Sequence, residues 1–89
     1  MILVNYTKDG TTHFAFLIEE RLYKCHSVHP GLPDSSEQFL SAYERYEPLA
    51  RLMNAALFGK NLKRDIYFIE IGAVDKVEAV EMPEKMKEK

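Results

Sequence analysis

The passage "YKCHSVHPGLPDSSEQF", residues 23–39, holds the only cysteine of the chain and two of its three histidines. Cys25, His26 and His29 are the residue types that bind zinc or build an activated thiolate. Zinc takes about four N or S donors in a tetrahedron, and here three donors stand without a fourth. A nucleophilic cysteine needs a base or cation within hydrogen-bond reach. If Cys25 and His26 are neighbours on a strand, they point to opposite sheet faces and can neither share a metal nor pair. No metal site, catalytic group or cofactor is therefore expected from this passage. It reads as a strand, a Pro/Gly break and a helix start.

The elements around it follow from local chemistry. "MILVNYT" is an aliphatic and β-branched run, and Asp9-Gly10 after it is a hairpin signal, because a tight turn needs positive φ at both centres. "HFAFLIEE" then reads as a second strand and "RLYKCHSV" as a third. Pro30, Gly31 and Pro33 stop the ladder. Asp34 is the expected N-cap with Glu37 three residues on, and Ser35 or Ser36 are alternatives for the cap. Phe39, Tyr43, Tyr46, Ala50, Met53 and Leu57 recur at helical spacing as one apolar stripe. Pro48 lies inside that stripe and predicts a kink or restart, and Gly59 is placed to end the helix in the left-handed conformation. "DIYFIEI", residues 65–71, is apolar at nearly every position and reads as a central strand buried on both faces. "VDKVEAV" reads as a charged edge strand.

The expected fold is α+β: a small antiparallel sheet of about five strands, β-β-β-α-β-β, with one long or Pro-kinked helix packed on it. Residues 1–81 form a single domain in this reading, and 82–89 are a charged tail expected to be disordered. A turn at Asp9-Gly10 pairs Tyr6 with His13, Val4 with Ala15 and Ile2 with Leu17. A second turn centred on Glu20-Arg21 would pair Ile18 with Tyr23, Phe16 with Cys25 and Ala15 with His26. Alternation then puts Leu3, Phe14, Phe16, Ile18, Tyr23 and Cys25 on one face. Ile2, Val4, Tyr6, His13, Ala15, Leu17 and His26 fall on the other.

Two expectations come from those faces. Tyr6, His13 and His26 gather near one end of the strands, where imidazoles beside a phenol could bind a ligand or move protons near neutral pH. One helical segment covers only one apolar face, so the second is left for a partner. Ile2, Val4 and Leu17, with Tyr43, Tyr46 and Met53 of the helix, are the expected oligomer interface, and a homodimer is the expected state.

At 89 residues with a net charge of −2, the chain carries no broad basic footprint, which argues against duplex nucleic acid as a partner. Single-strand binding through Lys60, Lys63 and Arg64, with Tyr43 and Tyr46 stacking bases beside Arg45 and Arg51, is the residual nucleic-acid reading. There is no glycine-rich phosphate loop. "MILVNYTKDG" lacks the basic and long apolar regions of an export signal, and no segment approaches the ~20 apolar residues of a membrane span. With a free cysteine, the expected location is the cytoplasm. The leading functional expectation is a homodimeric protein-interaction module that binds a macromolecular partner. The alternative is a small enzyme or ligand-binding domain using the Tyr/His cluster.

The opening order, an Asp-Gly hairpin, the break "HPGLPD" and a capped helix, resembles the HicB-like antitoxin domain over less than half the chain. That domain places "DLPGC" after its second strand, whereas "HPGLPD" here follows the third. The resemblance rests on turn chemistry and carries no function over; it illustrates how such a unit can serve as a protein-binding partner.

Overall fold

Asp9 and Gly10 both adopt positive φ, 54° and 81°, and turn β1 (Leu3–Lys8) back on β2 (Thr11–Ile18). The pairing is the one the turn dictates: Tyr6 faces His13 and Val4 faces Ala15. These come from a computed structural model that describes residues 1–60, 62 and 65–83. Glu19 and Glu20, at φ 54° and 69°, make the second turn into β3 (Arg21–Lys24). This centre is one residue earlier than Glu20-Arg21, so Phe16 faces Tyr23 and Ile18 faces Arg21. Two left-handed residues in a two-residue loop match the twist of the flanking strands, which fixes the turn there. The partners move by two residues, an even number, and the side chains within β1, β2 and β3 therefore keep their expected faces.

The third strand ends at Lys24. Cys25–Val28 form a single helical turn, α1, not the continuation of a strand. Cys25 and Val28 are buried while His26 and Ser27 are exposed, a three-residue spacing that a helical turn satisfies and a strand does not. Helix α2 (Ser36–Ser41) and helix α3 (Tyr43–Phe58) follow. The cap of α2 is Ser35, whose hydroxyl accepts from the Gln38 amide at 3.1 Å, in place of Asp34. The expected restart does not fall at Pro48: α3 runs through it, and the restart falls at Ala42 (φ −137°, ψ 49°). Ala42 serves both helices, since its amide donates to Phe39 and its carbonyl accepts from Arg45 and Tyr46. Pro48 sits in the second turn on the exposed side of α3, away from the packed stripe.

The five strands form one antiparallel sheet in the order β4-β3-β2-β1-β5, with β4 at Ile69–Glu70 and β5 at Lys76–Ala79. The expected central strand over 65–71 is thus a two-residue edge. Its apolar residues are used to round the sheet instead. Leu62 and Ile66 pack on the helix side, Phe68 lies under the Arg21 guanidinium at 4.3 Å, and Ile69 and Ile71 pack on the opposite face. The charged edge strand expected in "VDKVEAV" is present as β5.

β4 and β5 are at opposite edges, yet only residues 71–75 join them, and three of these form a 3-10 turn, Ile71–Ala73. Four strand spacings in a flat sheet span ~19 Å. Three residues at ~2 Å rise plus an extended remainder reach only about 16 Å, so the sheet curls toward this link. The Ile71 amide donates to Glu20 at one end of the link and the Asp75 amide to Thr7 at the other. Ile71 and Val74 consequently cover Val4, Tyr6, Ala15 and Leu22. The second sheet face, expected to stay open for a partner, is in large part closed by the chain itself. On the first face, Leu3, Phe14, Phe16 and Ile18 are buried under Cys25, Val28, Leu32, Phe39, Ala50 and Leu57. Met82, at the start of the expected tail, joins this cluster; residues 84–89 lie outside the described residues.

Candidate functional site

Tyr6 and His13 are brought together as the hairpin register requires, with ring centroids 5.0 Å apart. Tyr6 is only 2 % exposed. Burial pushes its phenol pKa up, and Tyr67 adds to the rise. Burial lowers the His13 pKa, and the Lys24 ammonium lowers it further. Both groups are held neutral, which suits packing more than proton transfer near pH 7.

His26 does not join them. It belongs to α1, on the helix-covered side, and lines a separate hollow with Pro30, Leu32, Asp34, Gln38 and Tyr46. Its Nδ1 is 2.8 Å from the Leu32 carbonyl oxygen, which can only accept, so Nδ1 carries the proton and donates. The Gly31 amide donates to Nδ1 of His29 at 2.9 Å. In both histidines one ring nitrogen is therefore committed to the Pro/Gly break. Cys25 is buried among apolar side chains, and burial pushes its thiol pKa far up. Among the described residues no group of three or more His, Cys, Asp or Glu side chains is gathered where a metal ion could bind.

A more open apolar groove lies elsewhere. Met1 and Ile2 just before β1, Leu17 and Ile18 at the end of β2 with Glu19 after it, and Asn54 and Phe58 of α3 line a groove of about 410 Å³. Three of its apolar walls face solvent: Met1 is 42 % exposed, Ile2 52 % and Phe58 65 %. The groove exists because α3 crosses the sheet with Leu57 turned inward, which leaves Phe58 turned outward beside the sheet end. Ile2 is held in place by its carbonyl, which accepts from the Leu17 amide at 3.0 Å.

Of the six residues expected at an oligomer interface, Ile2 and Leu17 line this groove. Val4 is buried within the chain, and Tyr43, Tyr46 and Met53 pack against the helix-side core, the two tyrosines around the Phe39 ring. That packing also takes Tyr43 and Tyr46 from the base-stacking role, although the Arg45 guanidinium sits 5.6 Å over the Tyr46 ring. Of the expected basic patch, Lys60 is exposed, while Lys63 and Arg64 lie outside the described residues. Met1, Asn54 and Phe58 were not legible as site residues. Phe58 falls next to Leu57 at the end of an apolar run, and its outward direction follows only from the helical phase of the stripe.

No helix among the described residues is long and apolar enough to cross a membrane. No family model, no curated protein and no solved structure matches the chain.

Proposed function

We propose that this chain is a homodimeric interaction module that binds a macromolecular partner through the groove between the β1 start and the end of α3. The observation that carries the reading is the exposure of Met1, Ile2 and Phe58 around one concavity. Isolated exposed apolar residues are ordinary; three large ones gathered around one concavity support the reading of a surface that a partner covers. At roughly 25 cal/mol per Å², burying ~150 Å² of these side chains contributes about 4 kcal/mol before the costs of association. The fitting partner presents an apolar side chain or two to the groove. Glu19 on its rim adds a preference for a neighbouring basic group.

Ile2→Ser and Phe58→Ser test the reading. Both positions are exposed, so far-UV circular dichroism is expected to match the parent protein. A partner retained by the immobilised parent chain and lost with both variants supports the groove. Equal retention by all three proteins refutes it.

A further inference from the structure

β5 is an open sheet edge, and its residues are complementary to themselves. Val80 donates its amide to the Leu3 carbonyl, and Glu78 and Lys76 pair opposite Asn5 and Thr7. Backbone direction alternates along a strand, so the amides and carbonyls of Val77 and Ala79 point away from β1. No strand lies beyond them among the described residues. Lys76 and Glu78 stand side by side on the face opposite Val77, 3.3 Å apart and each more than 60 % exposed.

We propose that two copies of this chain join edge to edge along β5, antiparallel, with Val77 opposite Val77 of the second copy. In that register Lys76 faces the second copy's Glu78, and Glu78 faces its Lys76. The outward amide and carbonyl of each Val77 are exchanged across the two-fold axis. The registers on either side fail. Centring on residue 76 sets Lys against Lys, and centring on 78 sets Glu against Glu. A parallel arrangement sets like against like throughout. Directly opposed like charges destabilise a strand pair, so the charges select one register as well as stabilising it. Charge on an edge strand commonly blocks pairing; here the alternating signs disfavour the two adjacent registers and the in-register parallel pairing, and favour the one centred on Val77. The in-chain Lys76–Glu78 pair is solvent-exposed at both ends, so trading it for two pairs across the axis costs little.

This assignment rests on the homodimer reading above and locates its interface, leaving the groove of each copy free. Four residues make a small contact, and the expected dissociation constant is on the order of 100 µM. Sedimentation velocity of the full chain over about 10 µM to 1 mM reads it directly. Lys76→Glu alone and Glu78→Lys alone are each expected to weaken association about tenfold. An equimolar mixture of the two single variants is expected to regain parental association as a mixed pair, and the double variant to regain it alone. Recovery in the mixture cannot come from the in-chain ion pair, which neither variant can form. Amide exchange by NMR gives an independent readout: Val77 and Ala79 gain protection as concentration rises. A parent chain that is monomeric throughout removes both this assignment and the homodimer reading. A dimer indifferent to all these variants overturns the β5 assignment and leaves the homodimer reading standing.

Discussion

The Tyr6 and His13 rings meet 5.0 Å apart across the first hairpin, tilted by 38°. Their environment favours the neutral form of both. For His13, burial first and Lys24 second lower the pKa below 6.5. A histidine depressed in the folded state contributes stability that is present above its unfolded pKa and lost as pH falls through the folded value. The predicted outcome is a decline in unfolding free energy below about pH 6.5, with part of it absent in His13→Gln. Urea denaturation of both proteins at a series of pH values from 7.5 to 5 reads the difference. Identical pH dependence in the two would show that His13 titrates as it does in the unfolded chain.

The cap of α2 distinguishes two adjacent residues of similar chemistry. Ser35 accepts the Gln38 amide, whereas Asp34 is exposed at the rim of two hollows. Ser35→Ala is expected to cost about 1 kcal/mol, and Asp34→Ala a few tenths. Thermal denaturation should rank them in that order, and the reverse ranking would move the helix start back to Asp34.

The same distinction between local and non-local signals runs through the rest of the fold. Asp9-Gly10 specified the first hairpin residue by residue, because the signal is local and the turn type demands it. The faces within the strands agree with expectation because the shift of the second turn is even, while His26 leaves its expected face because the chain coils into α1 at Cys25. Cys25 and Val28 stand three residues apart, a spacing that only a helical turn puts on one face, but four residues are too few for a period to outweigh the strand run before them. "DIYFIEI" departs from the expected central strand for a different reason. A continuous apolar run looks the same whether it enters the middle of a sheet or wraps around its edge. The groove was out of reach altogether, since it depends on Met1 and Ile2 arriving beside a residue more than fifty positions away.

At the end of α3 the residue carrying left-handed strain is not the glycine. Gly59 has φ −85°, which any residue adopts, and Lys60 has φ 58°. The last turn closes with the Gly59 amide on the Ala55 carbonyl and the Lys60 amide on Leu57. A non-glycine residue in this conformation loses roughly 1 kcal/mol relative to glycine. Lys60→Gly is therefore expected to raise stability by about that amount, while Gly59→Ala leaves it within about 0.5 kcal/mol. Urea midpoints of the two variants test the assignment, and a destabilised Lys60→Gly would contradict it.

Cys25 ties the opening passage to a measurable property. Its side chain is 1 % exposed in the cluster with Val28 and Phe39, and desolvation drives its pKa up, against a smaller opposing effect from a backbone hydrogen bond. Thiol reagents attack the thiolate, so burial suppresses the reaction both by access and by ionisation. The folded chain is predicted to leave Cys25 unmodified by an aromatic disulfide reagent at pH 8, and to react completely in denaturant. Its rate of slow modification in native buffer should follow the opening of the core and accelerate with Phe39→Ala, which removes about 3–5 kcal/mol of packing. Rapid labelling of the native parent protein would mean that α1 lifts away from β2 far more readily than its buried face implies.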